Sequence, residues 1–404
     1  MVKELEYKKI KTEKKKKIIK YQNYLSYPIG LFLAIIVFSV TLLLLGYDPI
    51  SALVSIPTGA FGNLTSSSET ILRLIPLLLT ATAFLIALKA RFLNLGVEGQ
   101  LYIGALLAYL VGARMEIVPS FIAIPVIFIA GFMGGVLWLA IPLIMKTKLG
   151  VNEIFPTVVM NFIAIFLIAW LTIGPLKDPN AFNPQTHLLP DSTWLPLIDS
   201  DNMLHVGVFL VVIIALFIYL ILYKPYRLHV GVFLVVIIAL FIYIILYQTY
   251  RLHVGVFLVV IIALFIYVIL FTTTIGYQIR AVGQNPMAAE HGGINVTRVV
   301  ITAGLLSGGI AGLVGMMEVF GIHHIAFRGF SPGFGFQGIA VAALGVFHPI
   351  GVIFAAFFFA VLQKGGESMQ RSAGIPIDII FIMQAVLVLT VLIVQKWMTT
   401  RKSS

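Results

Sequence analysis

Residues Thr272–Thr297 read TTTIGYQIRAVGQNPMAAEHGGINVT. The stretch is polar and rich in Gly and Ala, lies between long apolar runs, and carries charges, amides and a helix start at Asn285-Pro286. A simple hairpin between two membrane helices has little need of so many polar residues. The segment is therefore read as a short amphipathic helix on the membrane face, offered to a soluble partner. On that reading the chain is a membrane subunit driven by something else.

Composition agrees with a membrane chain. Hydrophobic residues make up 60% and charged residues 11% of the 404, far from the balance of a soluble domain. Apolar runs recur that can cross about 30 Å of hydrocarbon at about 1.5 Å per residue. A soluble globular protein is excluded. With no cysteine there are no disulfides and no thiolate metal sites. The formal charge of +11 does not point to nucleic acid, because much of it sits in the first twenty residues and in short loops. Cationic loops of this kind orient a polytopic membrane protein.

The sequence predicts an all-α transmembrane bundle of about 10 core spans, or about 12 with an apparent duplicated hairpin. Residues 1–26 form a basic arm, expected to be cytoplasmic, with no small-residue cleavage site after it. The membrane domain covers residues 27–396 and a short tail covers 397–404. Its first spans are expected at Tyr27–Gly46, Ile71–Leu88, Phe92–Ala113, Val118–Met145 and Asn152–Gly174. Lys89, Arg91, Lys146 and Lys148 then fall on the side of the basic arm, whereas Pro175–Asn202, with one Lys and four Asp, belongs outside.

The run LHVGVFLVVIIALFIY occurs identically at Leu204–Tyr219, Leu228–Tyr243 and Leu252–Tyr267, a period of 24 residues within a triplicated region at 204–271. Solenoid repeats diverge between copies, so this reads as a recent tandem duplication of one span or as a cloning artefact. Two extra spans form a hairpin and leave everything downstream in its original orientation. His205, His229 and His253 recur with the copies. In alternating spans His229 sits at the opposite membrane face from the other two, so duplication explains them better than a shared metal ion. Further on, His348-Pro349-Ile350-Gly351 breaks an apolar stretch. Positive-inside counting favours two short helices there, Phe336–Phe347 and Ile350–Leu362, before a last span at Pro376–Gln395.

No phosphate-binding loop, H-E-x-x-H or G-x-S-x-G motif is present, and no paired intramembrane carboxylate is evident, so no catalytic residue and no cofactor are assigned. Polar residues within spans face a cavity or a neighbouring helix, because lipid penalises them. In FLNLGVEGQLYIGALLA these are Asn94, Glu98 and Gln100; in VNEIFPTVVMNFIA, Asn152, Glu153 and Asn161. For Asn152 and Glu153 a helix start explains the residues as well as a pathway does. Glu318 suits either a pathway or an interface, and the small residues of Ala303–Gly315 suit tight helix packing.

FLNLGVEGQLYIGALLA, VNEIFPTVVMNFIA, YQIRAVGQNPMAAEHGGIN and SPGFGFQGIAVAALGVFHPIG together resemble the inner-membrane permeases of bacterial ABC importers for nucleosides. That group is related to the ribose and branched-chain amino-acid permeases. The resemblance covers most of the chain after about Leu25 and implies a ten-span helical importer in the bacterial cell membrane. It makes residues 272–297 a cytoplasmic coupling loop, with Gly283, Asn285, Pro286, Ala288, Ala289, Glu290, Gly292 and Gly293 as its contact region. It implies an ABC ATPase subunit, a second permease subunit, homologous or identical, and an extracytoplasmic nucleoside-binding protein as partners, with no nucleic acid. Asn94, Glu98, Gln100, Asn161, Glu318 and Gln337 are the expected path residues, since amides and carboxylates can meet ribose hydroxyls and base edges. Removing two copies of the repeat (48 residues) would leave 356, close to the length such a permease implies. A permease for ribose or another small sugar is the nearest alternative. An ion-coupled secondary transporter would need an internal ion site built on Glu98, Glu153 or Glu318.

Overall fold

The computed structural model describes residues 29–195, 197–199, 204–205, 275–376 and 378–400. The basic arm and the repeat beyond His205, with His229 and His253, lie outside the described residues. In chain order the helices are α1 Ile29–Leu44, α2 Pro49–Phe61, α3 Leu64–Lys89, α4 Val97–Gly112, α5 Ser120–Leu149 and α6 Ile154–Ile173. They continue as α7 Ile275–Gln284, α8 Pro286–His291, α9 Val296–Glu318, α10 Phe334–Leu344, α11 Pro349–Ala373 and α12 Asp378–Thr400. The short strands β1 Leu197–Asp199 and β2 Leu204–His205 pair antiparallel. By length and composition, five of the described helices can cross a membrane: α3, α5, α6, α9 with the π-turn that follows it, and the greater part of α11. The chain is a multi-pass, largely helical membrane protein.

Two compact units divide the chain. In the larger, Ile71–Phe357, α3 and α9 are mostly buried, whereas α5 and α6 turn large apolar side chains such as Phe121, Ile129, Phe166 and Trp170 outward. Apolar helices that expose Phe and Trp fit lipid as solvent. At the centre α4, α5 and α9 meet through glycines. Gly131 and Gly135 of α5 lie against Gly308 and Gly312 of α9, and Gly104 of α4 also meets Gly312. Small residues four apart let helix backbones touch where no hydrophobic force drives association. Ala87, Phe92, Leu139, Leu143 and Val300 fill the space beside this seam.

The smaller unit joins residues up to Thr70 with those from Phe358 onward. Asp48 caps α2, its carboxylate accepting from the Ile50 and Ser51 amides at 3.0 and 3.1 Å. Gly59 of α2 packs on Ser368 and Gly365 packs on Ile56, which binds α2 to the second half of α11. Lys364, nearly fully buried, pairs with both Glu69 and Glu367.

Several boundaries differ from expectation. The run Phe92–Ala113 is not one span: residues 92–96 are non-helical, and α4 covers only sixteen residues. The reason is the buried polar cluster described below, which holds the backbone open before Val97. The stretch after Tyr27–Gly46 forms an unexpected helix, α2, because Asp48-Pro49 supplies an N-cap and a proline at the first helical position. The chain does break at His348, but the helix beyond it runs to Ala373 and not Leu362. Within the longer helix Lys364 is neutralised by its two carboxylate partners, Glu69 and Glu367.

Candidate functional site

The polar segment folds into α7, α8 and the loop leading to α9. Asn285 is extended and its side-chain oxygen accepts from the Ala288 amide at 3.2 Å, with Pro286 opening α8. Asn295 caps α9 in the same manner, accepting from the Arg298 amide at 2.9 Å. Gly292 ends α8 and Gly293 adopts φ 79°, a left-handed conformation that suits glycine. Of the expected coupling residues, Asn285, Ala288, Glu290, Gly292 and Gly293 are exposed, Gly283 and Pro286 are half-buried, and Ala289 turns inward. Met287, outside the expected coupling set, projects outward at 76% exposure.

This segment is fastened from below. The Arg91 guanidinium donates from Nε to the Gly283 carbonyl and from Nη2 to the Gln284 carbonyl, both at 3.2 Å. A cation there meets the negative end of the α7 dipole. A Cβ at Gly283 would collide with the Lys89 carbonyl, which explains the glycine.

Nearer the centre, four of the expected path residues come together. Asn94, fully buried, donates to Gln100 Oε1 at 2.9 Å and Ser307 Oγ at 2.8 Å, and accepts from Gln100 Nε2 at 2.8 Å and the Gly96 amide at 3.1 Å. Ser307 in turn donates to the Ala83 carbonyl at 2.6 Å. Asn161 accepts from the Gly99 amide at 2.7 Å and donates to the Leu95 carbonyl at 2.8 Å, bracketing the start of α4. Glu98, also buried, accepts from the Gly335 amide at 2.6 Å at the opening of α10 and is hydrogen-bonded by Ser331.

Glu318 closes α9, and Gln337 lies on α10, two residues after the Gly335 amide that bonds Glu98. Buried at the end of α9, Glu318 stands 3.8 Å from His323 Nε2 and within electrostatic reach of Arg73. Beyond it come the π-turn Val319–His323 and His324 at φ 56°. Edge-to-face contacts join His323 to Phe327 and Phe327 to Phe330, and Phe330 packs on Tyr102 with ring centres 4.6 Å apart. The loop before β1 covers this end, with Trp194 stacked on His324 at 3.9 Å and Thr186 bonded to Ala326. Gln337, on α10, is half-buried and donates to the Pro332 carbonyl.

Asn152 and Glu153 separate into two roles. Asn152 accepts from the Ile154 amide at 3.0 Å, whereas the Glu153 carboxylate pairs with Lys146 at 2.5 Å and accepts from the Leu93 amide at 3.2 Å.

The family described as "Branched-chain amino acid transport system / permease component" matches residues 66–395. The chain is 28% identical to the guanosine ABC transporter permease protein NupP of Bacillus subtilis (strain 168) over 93% of its own length and 94% of that protein's. It is also 28% identical to the nucleoside ABC transporter permease protein NupB of Lactococcus lactis subsp. cremoris, covering 87% and 85%. The glucose ABC transporter permease protein TsgB13 of Haloferax volcanii shows 28% identity over 88% and 83%. No solved structure matches the chain.

Proposed function

The chain belongs to the permease family described as "Branched-chain amino acid transport system / permease component", and from that premise we propose that it forms the membrane path of an ATP-driven nucleoside importer. As a permease it is not an enzyme. The observation that carries the reading is the exposed surface of α8 and its flanks, Asn285, Met287, Ala288, Glu290, Gly292 and Gly293. A polar, double-capped helix left uncovered on an otherwise apolar bundle is suited to receive a soluble ATPase subunit. Nucleosides are favoured because two relatives matched over most of their length are a guanosine and a nucleoside permease; the glucose permease supports a small sugar as the second reading.

In the proposed cycle an external binding protein delivers the ligand, this chain and a second permease subunit enclose the path, and ATP-driven closure of the ATPases turns it inward. The N-terminal arm and the coupling segment face the cytoplasm. Half-buried Phe327 presents a ring for a base to stack on, with buried Phe330 and Tyr102 packed behind it, and Glu318, with Arg73 and His323 beside it, is the candidate hydrogen-bonding group. Asn94, Glu98, Gln100 and Asn161 border the path by holding the start of α4, and Gln337 contributes an amide.

The test is uptake of labelled guanosine and uridine with and without this chain, under ATP depletion or dissipation of the ion gradient, with excess ribose or glucose as competitors. The expected result is uptake that fails on ATP depletion alone and ignores both sugars. Competition by either sugar would favour the second reading, and uptake that collapses with the gradient while ATP stays high would remove the ATP-driven importer.

A further inference from the structure

We propose that the seven residues Ala90–Gly96 act as a strut that carries movement of the coupling segment to the buried start of α4, with Arg91 as its clasp. This inference rests on the coupling reading of residues 272–297. The backbone supplies the first observation. At the end of α3 the Phe92 amide donates to the Ala87 carbonyl at 2.9 Å and the Arg91 amide to the Leu88 carbonyl at 3.0 Å. That is a Schellman closure, in which the left-handed position normally belongs to glycine. Here it is Arg91, at φ 59°. A side chain kept at an unfavourable backbone position invites a functional reason, and this one forks onto two consecutive carbonyls at the end of α7.

The far end of the strut is held as firmly. The Arg91 carbonyl accepts from Lys146 Nζ at 3.3 Å, the same ammonium pairs with Glu153, and Glu153 accepts from the Leu93 amide. Lys146 also lies over the Phe92 ring at 5.3 Å. Beyond Leu93 come Asn94, bonded to α4 and α9, and Leu95, bonded by Asn161 of α6. A displacement of α7 therefore reaches the first turn of α4 through short, directional contacts, with the Arg91 side chain bonding the strut directly to the end of α7. Arg91 is a positioning residue in this scheme; it need not touch the ligand.

The experiment uses membrane vesicles carrying the assembled transporter, and follows labelled guanosine uptake, ATP hydrolysis and the membrane level of the chain. Arg91→Ala is expected to keep native membrane level and ATP hydrolysis while uptake falls by about 2- to 30-fold. Arg91→Lys should fall between, because it keeps the charge but not the fork. Since the chain has no cysteine, Arg91→Cys with Gln284→Cys supplies a rescue: a flexible bifunctional thiol reagent should restore uptake lost in the double variant. Native uptake in Arg91→Ala, or no recovery on cross-linking, overturns the strut. Gly292→Asp, measured alongside, keeps the two readings apart. Loss of uptake there with native uptake in Arg91→Ala removes only the strut, whereas native uptake in both removes the coupling reading itself.

Discussion

Each polar atom of the Asn94 side chain is used: its oxygen accepts from Gly96 and Gln100, and its nitrogen donates to Gln100 and Ser307. Asn94→Leu would leave several buried groups without partners, and each such group costs about 1–3 kcal/mol. Because hydrogen bonds between membrane helices average nearer 0.6 kcal/mol, the expected loss is about 2 kcal/mol in all, read as a lower thermal midpoint in detergent. Gln337→Leu, on a half-buried side chain that donates to the Pro332 carbonyl, should cost less than Asn94→Leu. Equal midpoints for the two variants would mean that the Asn94 network contributes no more than an ordinary bond. Glu153 gives a prediction in pH. Burial pushes its carboxyl upward, but the hydrogen bonds from Lys146 and the backbone outweigh this and leave it below the usual glutamate range. A group held lower in the folded state stabilises above its unfolded value, about 4.3 for Glu, and the benefit fades as pH falls through the lower folded value. Lys146→Met should therefore flatten the acid side of the stability curve; an unchanged acid limb would show that the pair contributes nothing. Asn94, Glu98, Gln100 and Asn161 were legible in the sequence as polar residues within apolar runs. Their partners were not: Ser307 sits 213 positions from Asn94, and the Arg91 contacts span 192 and 193 positions. Nothing local marks such pairs.

At the scale of elements, the contact of α5 with α9 leaves no room for a side chain. A Cβ on Gly308 would stand 2.7 Å from the Gly135 carbonyl oxygen and 2.9 Å from the Leu139 Cβ. Backbone cannot step aside as a side-chain tip can, so Gly308→Leu should destabilise by about 3 kcal/mol, the upper end for overpacking. Gly150, which ends α5 at φ 68°, has open space around its Cβ position. Gly150→Ala therefore meets only backbone strain, about 1–2 kcal/mol. Thermal unfolding of the two variants in detergent separates a packing clash from a conformational one, and a Gly150→Ala loss as large as that of Gly308→Leu would contradict the assignment. The small residues of Ala303–Gly315 read correctly as a packing face because glycines recur four apart. The start of α4 did not read correctly, since hydropathy sees Phe92–Ala113 as one apolar run and is blind to a backbone held open by Asn94 and Asn161. For α2 the Asp48-Pro49 signal was present, but the helix is short and follows an expected span closely enough to be overlooked.

On the proposed function the whole molecule is governed by sidedness, because an importer driven from one face must keep its coupling segment, proposed to be residues 272–297, on that face. Identical copies of LHVGVFLVVIIALFIY precede the segment, and each continues as an apolar run long enough to cross the bilayer. Parity then makes two deletions unequal. Removing 204–251, which is 48 residues and two periods, leaves one copy and keeps residues 275–400 in their original orientation. Removing 228–251, a single period of 24, leaves two copies and would place α7, α8 and every later element on the opposite face. The basic tail, with Lys396, Arg401 and Lys402, resists that inversion under the positive-inside rule, so the shorter deletion should also lower the amount of protein inserted. We expect near-native guanosine uptake from the longer deletion and none from the shorter, although the shorter removes less of the chain. A cysteine introduced at Glu290 reports the geometry independently, since a thiol reagent that cannot cross the membrane labels it from one side only. It should react from the same face in the native chain and in the longer deletion, and from the other face in the shorter. Uptake retained in the single-period deletion would mean that the copies do not each cross the membrane, and the sidedness argument would then have to be rebuilt without them.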